Sequence, residues 1–307
     1  MDYKRFFYRP EDEEELCQFF VKMNADCDCN HSRIVWEWLR NTPCFEMFQL
    51  DKIGIWKEND EIAASLQLLS PCPGYVKADN ISNSEDLLLD VIQYAEATFF
   101  GIEDGKKHLS ICVNEKENNL KKILLQQGYK QLSNENNTLQ YILNEDAAYI
   151  SLPEGFTIKV LSDVYDFNHL NKLIWEGFNY EGKIPKIDDE VYLPIKHAWI
   201  KYNREICSLI IAPDGSYASF CGFWYESKTR TGYLEPMVTA KEYRNLGLGK
   251  ASIFNSLQIL KSYGCKKVFV DSDNESYQYY CKIGFEKNDY SKCYKKVFNL
   301  GDIYCAE

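Results

Sequence analysis

Tyr233-Leu234-Glu235-Pro236-Met237-Val238, followed six residues later by Arg244-Asn245-Leu246-Gly247-Leu248-Gly249, is the stretch that decides how this 307-residue chain is read. Residues 233–238 predict a strand, and Ile253, Phe254, Leu257 and Leu260 predict a helix over 249–262 that Tyr263-Gly264 ends. A short loop running from a strand into a helix, with two glycines at the junction, has a definite electrostatic character. The first N–H groups of a helix lack intrahelical acceptors and the dipole is positive there, so a pyrophosphate can accept their bonds where no side chain blocks it. Gly247 and Gly249 leave that approach open. Residues 241–250 carry Lys241, Arg244 and Lys250 against Glu242 alone, so the segment is basic within an acidic protein.

Two other phosphate loops fail on the residues. A Walker A loop needs glycine five residues before the Gly-Lys pair and Ser or Thr after it, where Arg244 and Ala251 stand. A dinucleotide fingerprint needs a third glycine where Ser252 stands.

Working outward, the second half of the chain reads as a fuller copy of the first. Each half ends in a strand, a helix, a glycine stop and another strand. In the first half these are 108–113, 119–127, Gly128-Tyr129 and 138–143; in the second they are 267–270, 276–283, Gly284-Phe285 and 293–298. The turn-rich Ser151-Leu152-Pro153-Glu154-Gly155 marks the boundary, giving domains 1–150 and 151–307. A hairpin is clearest in the second half: 206–212, a turn at Pro213-Asp214-Gly215, then 217–226 and 231–238. The first half has a helix over 85–97 but no glycine-rich entry to it, and so no phosphate loop.

The formal charge of −11 lies wholly in residues 1–150, which hold 15 Lys/Arg against 26 Asp/Glu, while 151–307 are balanced. That excludes a basic stripe for nucleic acid and directs an anionic ligand to the second half. No apolar run approaches the ~20 residues that span a bilayer, and the start lacks a secretory signal core, so the expectation is a cytoplasmic chain, a monomer or homodimer, with no membrane partner. Twelve irregularly spaced cysteines read as reduced, mostly buried thiols rather than a disulfide framework. Cys27-Asp28-Cys29-Asn30-His31 offers three metal-ligand side chains, but no second pair follows at zinc spacing, and no metal is expected.

The run Gly232 to Ala251 resembles the acetyl-CoA core of the GNAT N-acetyltransferases, marked by Arg/Gln-x-x-Gly-x-Gly/Ala after a strand. Tyr280-Cys281-Lys282-Ile283-Gly284-Phe285 is similar to the family's later Tyr-x-x-x-Gly-Phe signature. Close similarity covers about 205–300 and weaker similarity runs from 156. The first half resembles the degenerate copy of tandem GNAT proteins, the mycothiol synthase type among them; it lacks the loop and has Leu124 where Tyr280 stands in the second copy. The resemblance implies an α+β fold of two tandem GNAT-like domains, each a mixed, mostly antiparallel twisted sheet flanked by helices. It also implies acetyl-CoA as co-substrate and an amine acceptor, with direct attack on the thioester.

By the same resemblance, Met237 and Val238 supply a backbone edge for the thioester carbonyl, while Arg244, Asn245, Leu246, Gly247, Leu248, Gly249 and Lys250 cradle the pyrophosphate. Asn274 is a candidate CoA contact, although Asp273-Asn274 also reads as a simple helix cap. An alkylamine of pKa near ~10.4 is almost wholly protonated at pH 7, so a base is needed; Glu235 is the candidate, with an ordinary strand carboxylate as the other reading. Tyr280 is the candidate acid for the departing thiolate, and Tyr279 its competitor. His169 and His197 read as structural or substrate-facing. Trp175 to Glu181 borders the acceptor side in the family, where aromatics and carboxylates suit a small cationic amine or equally core packing. A protein or peptide acetyltransferase and a non-catalytic acyl-CoA sensor are the alternatives.

Overall fold

Strand pairing sorts the chain into two sheets that do not follow its midpoint. The computed structural model describes residues 3–25, 32–40, 49–68, 73–132, 138–143, 150–184, 204–288 and 291–298. One unit comprises Met1–Ser32, Cys44–Asn137 and Asn288–Glu307; the other comprises Arg33–Pro43 and Thr138–Lys287.

The first unit holds β1 (Tyr3–Phe7), α1 (Glu13–Ala25), β2 (Gly54–Glu58), β3 (Glu61–Leu68), β4 (Tyr75–Asn80), α3 (Glu85–Thr98), β5 (Gly101–Glu103), β6 (Lys106–Asn114), α4 (Asn118–Gln126), β7 (Lys130–Gln131) and β15 (Ser291–Val297). Its sheet runs β1-β2-β3-β4-β6-β15-β7, with β5 on β6. Every pair is antiparallel except β4–β6, which the helical crossover through α3 makes parallel.

The second unit holds α2 (Ser32–Arg40, of which Arg33 onward belongs here), β8 (Thr138–Ile142), β9 (Thr157–Val160), α5 (Leu161–Val164), α6 (Phe167–Gly177), β10 (Ser208–Ile211), β11 (Tyr217–Glu226), β12 (Thr231–Thr239), α7 (Leu248–Ser262), β13 (Lys267–Asp271), α8 (Asn274–Lys282) and β14 (Glu286–Lys287). Its sheet runs β14-β8-β13-β12-β11-β10-β9, again antiparallel except for β12–β13, which α7 bridges. The expected hairpin is β10–β11. The apolar stripe of α7, with Ile253, Leu257 and Leu260, shares the main buried cluster with Leu234 and Val268, while Leu209 and Phe220, each one step from a serine whose hydroxyl reaches α7, belong to the opposite face of the sheet. On another surface Ile34, Val35 and Trp38 of α2 pack with Trp224, Tyr233 and Phe269.

The two sheets exchange their closing strands. Strand β8, which ends the first half in sequence, pairs with β13 from Thr138↔Asp271 to Ile142↔Lys267. Strand β15, which ends the second half, pairs with β6 from Ser291↔Asn114 to Val297↔His108. The units therefore depart from a cut at residue 150. A strand–helix–glycine–strand pattern specifies that another strand follows, but not which open edge receives it.

The thiol expectation needs one correction: Cys112 and Cys293 form a disulfide, with Cα atoms 4.0 Å apart at directly paired positions of β6 and β15. Only strand register brings them together. Cys17, Cys207, Cys221 and Cys265 are buried free thiols and Cys281 is partly buried, whereas the Cys27-to-His31 cluster lies outside the described residues. Among the described residues no helix is long and apolar enough to cross a membrane.

Closing a loop 181 residues long, the Cys112–Cys293 link removes unfolded-state entropy worth about 3–5 kcal/mol. Cys293→Ser should lower denaturant stability by that order under oxidising conditions and by little in reductant. Equal loss in both would show that packing, not the crosslink, is responsible. At the end of α6, a Cβ on Gly177 would lie 2.0 Å from Cγ2 of Val238. Gly177→Ala should therefore cost about 1–3 kcal/mol, read from denaturant titration, and an unchanged midpoint would show that α6 can retreat freely.

Candidate active site

Two breaks in strand pairing shape the centre of the second unit. Parallel pairing of β12 with β13 ends at Tyr233↔Phe269, so Leu234 to Thr239 have no strand partner on that side among the described residues. On the other side the β11–β12 register shifts between Cys221 and Phe223, leaving Glu235-Pro236 bulged opposite Gly222. Proline cannot donate a ladder hydrogen bond, which favours a bulge here. A Cβ on Gly222 would stand 2.8 Å from both the Glu235 carbonyl oxygen and Pro236 Cδ, so glycine permits the close approach.

Beyond the bulge, antiparallel alternation decides which backbone groups are spent. The Ala240 N–H donates to the Ala218 carbonyl, so two residues back the Val238 N–H is turned to Phe220. Those of Met237 and Thr239 are turned to the open side. Of the two residues expected to offer a backbone edge, Met237 is thus the one with its N–H directed into the gap.

The glycine loop runs directly from this strand. Asn245 (φ 66°) and Gly247 (φ 78°) are left-handed, and Gly247 caps α7 without any side-chain bond. None of the N–H groups of Asn245, Leu246, Gly247, Leu248, Gly249 and Lys250 donates to a backbone acceptor among the described residues. Six successive donors at a helix N-terminus form an anion cradle, and a Cβ on Gly247 would meet nothing within 4 Å. Gly249 has a different function. A Cβ there would come within 2.9 Å of both the Met237 methyl and the Tyr279 hydroxyl, so its bareness lets α7 seat on the divergent strand.

The Arg244 side chain is engaged in building the loop. Its Nη2 donates to the Gly177 carbonyl at 2.7 Å and its Nε to the Thr239 carbonyl at 3.2 Å, fastening the loop to α6 and β12. Lys250 lies 5.4 Å from the centre of the Phe254 ring.

Glu235 keeps some solvent exposure, yet its carboxyl accepts no hydrogen bond among the described residues. Burial, and secondarily the charge of Asp271, push its pKa up to about 8. Asp271 ends β13, accepting hydrogen bonds from Thr138 Oγ1 and, at 3.2 Å, from the Tyr233 hydroxyl. This neighbour was not legible in the sequence, because only the register sets it beside Glu235. The Trp224 indole donates to the Glu235 carbonyl at 2.8 Å.

Tyr280 is buried with its ring between Tyr279 and Phe285, at 5.4 and 5.5 Å. Its hydroxyl has no hydrogen-bond partner among the described residues. Burial, then Cys221 and Glu235, hold its pKa well above the usual phenol range, so it stays protonated. Tyr279 instead directs its hydroxyl at the first turn of α7.

The remaining candidates divide. Asp273 caps α8 by accepting from the Ser276 N–H at 2.7 Å and hydroxyl at 2.6 Å. Asn274 opens that helix, but its side chain lies outside the described part, as does His197 altogether. His169 is an exposed residue in the first turn of α6, with its Nδ1 3.6 Å from Asp166 Oδ1 and its ring 5.4 Å from that of Tyr217. Trp175 and Phe178 gather around Tyr180 at 5.3 and 5.8 Å, just past the Gly177 contact with Val238.

Comparison with known proteins bears on residues 167–285 and on the fold. The profile of the acetyltransferase (GNAT) family fits residues 167–285. A glucosamine 6-phosphate N-acetyltransferase of Trypanosoma brucei brucei is 41% identical over 58 residues, 19% of this chain and 40% of that protein, so the match spans two fifths of the relative's length. A GCN5-related N-acetyltransferase from Sphaerobacter thermophilus superposes with a TM-score of 0.59 at 14% identity, covering 96% of this chain and 95% of that one. A tandem GNAT protein from the clavulanic acid biosynthesis pathway gives 0.57 at 9% identity, covering 96% and 98%. At such identities these likenesses concern the fold alone. Residues 167–285, which carry the glycine loop at the head of α7, match the acetyltransferase (GNAT) family, and nearly the whole chain shares its fold with a tandem GNAT protein.

Proposed function

We propose that the second unit transfers an acetyl group from acetyl-CoA to a primary amine of a small molecule by direct attack on the thioester. The observation that carries this reading is the meeting of six unspent N–H groups, a divergent strand edge and an unpartnered carboxyl of pKa about 8. The loop 245–250 would hold the pyrophosphate, and the Met237 N–H would polarise the acyl carbonyl as negative charge develops on its oxygen. Glu235 would take a proton from the acceptor ammonium, directly or through water, freeing the amine lone pair that attacks the thioester carbonyl. A base whose pKa lies near ambient pH is best matched to that task. Tyr280, kept protonated by burial, would give its proton to the leaving thiolate. The relative named for glucosamine 6-phosphate makes an amino sugar a first acceptor to try.

We further propose that the first unit binds no acetyl-CoA. At the head of α3 two donors are consumed locally: Ser84 N–H bonds Ser82 Oγ at 3.0 Å and Leu87 N–H bonds Ser84 Oγ at 3.3 Å. Glu85 and Asp86 then set two negative charges in the first turn, where a phosphate would need positive potential.

Release of CoA across a panel of amines, with calorimetry of acetyl-CoA binding, tests both statements. One acetyl-CoA per chain is expected; no binding would sink the donor assignment, and two equivalents would contradict the first unit's role. Glu235→Gln should lower kcat/KM by about 10²-fold or more. The wild-type rate should rise with pH through about 8, and the variant should lose that step. The stability sign is opposite. A carboxyl whose pKa is raised on folding contributes stability that is full below its ordinary 4.5 and lost as pH climbs towards 8. Glu235→Gln should therefore be the more stable form at pH 8 while being the slower. A variant with wild-type rate and pH profile would remove Glu235 from the chemistry.

A further inference from the structure

We infer that Trp38, on a helix encoded in the first half of the chain, is a specificity-determining wall on the acceptor side of the Glu235 site, selecting primary amines carried on an apolar or ring-shaped body. The inference rests on the acetyltransferase reading and adds the residue that chooses the acceptor.

Alternation along β12 separates its side chains. Leu234 joins Val268 and Val270 in the core beneath α7, while Tyr233 joins Phe269 and Trp224 in a second cluster. Glu235 lies in the bulge beyond Leu234, and Asp271, which accepts a hydrogen bond from the Tyr233 hydroxyl, acts on its carboxyl from the Tyr233 side. That surface is the one α2 covers. Ile34 and Trp38, one helical turn apart, pack with Val35 against Trp224, Tyr233 and Phe269. The Trp38 ring meets Tyr233 edge-on at 6.2 Å between centroids.

Two of the residues so covered are tied to the reacting carboxyl. Tyr233 donates to Asp271, whose charge bears on Glu235, and Trp224 donates to the Glu235 carbonyl. Trp38 is therefore one residue removed from the Asp271–Glu235 pair and, unlike Trp224 and Tyr233, is only partly buried. The α2 residues in that cluster are Ile34, Val35 and Trp38, so the helix presents an apolar surface to Tyr233. An ammonium drawn to the two carboxylates would leave its carrier against that indole. A flat, polarisable ring rewards an apolar or ring-shaped carrier and gives nothing to a bare short amine.

The test uses the full chain, with Trp38→Ala and Trp38→Phe beside the wild type. KM and kcat are measured for ethylamine, hexylamine, benzylamine and glucosamine, and acetyl-CoA affinity by calorimetry. The wild type should prefer the larger carriers, and Trp38→Ala should cut the benzylamine-to-ethylamine ratio of kcat/KM by about 10-fold or more, chiefly through KM. Trp38→Phe should restore most of that ratio, and acetyl-CoA affinity should stay within about twofold in both variants. An unchanged ratio in both overturns the proposal, and so does a loss shared equally by every amine and by acetyl-CoA, which would mark Trp38 as packing alone. A wild type that binds acetyl-CoA but acetylates none of the panel also overturns it while leaving the donor site standing. Failure to bind acetyl-CoA would instead remove the acetyltransferase reading beneath it.

Discussion

Parallel pairing between β12 and β13 runs through Tyr233↔Phe269 and then stops, and the features of the site follow from that divergence. Paired along its full length, β12 would have no free backbone edge at Met237. The cause is visible on both sides of the strand. Pro236 interrupts the ladder to β11, Gly222 makes room for the resulting bulge, and Gly249 lets the head of α7 lie against Met237 and Thr239. Arg244 then fastens the loop to Gly177 and Thr239, so the six free donors are held by bonds that do not consume them.

The first unit repeats the divergence with different residues near it. Pairing of β4 with β6 ends at Lys77↔Cys112, and Asp79 stands two residues past that point, as Glu235 stands two past Tyr233. Asp79 is fully buried, with the Lys77 ammonium 3.4 Å away. Glu117 lies close enough that burial and the charge of Asp79 raise its pKa well above the carboxylate range. Lys77, Asp79 and Glu117 thus gather near the place where the pairing ends, and Leu124 stands where the second half has Tyr280. Two copies of one topology have diverged in the side chains set near that place.

The strand exchange bears on the site as well as the fold. Thr138, which holds Asp271 through its hydroxyl, arrives on β8 from the end of the first half, and α2 arrives from nearer its start. The second unit is therefore not built from the second half of the chain alone.

Much of this was legible in residues 231–285. The strand, the loop, α7 and α8 all follow from local periodicity and capping, and their observed ends lie within two residues of the predicted ones. Glu235 and Tyr280 could be nominated because residues 232–251 and 280–285 resemble the family's two signatures. Local pattern cannot say that Arg244 would be engaged by two carbonyls, that Gly249 serves packing while Gly247 serves access, or that Asp271 would raise the pKa of Glu235. Those depend on atoms brought together across 67, 12 and 36 positions of chain.

What the sequence alone determined, then, is the kind of element over residues 231–285 and the glycine-rich entry to α7, since both arise from interactions within a few residues. Which sheet receives β8 and β15, that Cys112 faces Cys293, and that α2 covers the Tyr233 side of β12 were decided only by tertiary structure. An open strand edge or an apolar helix face is satisfied equally well, locally, by any complementary surface, and only the packing of the whole chain selects one.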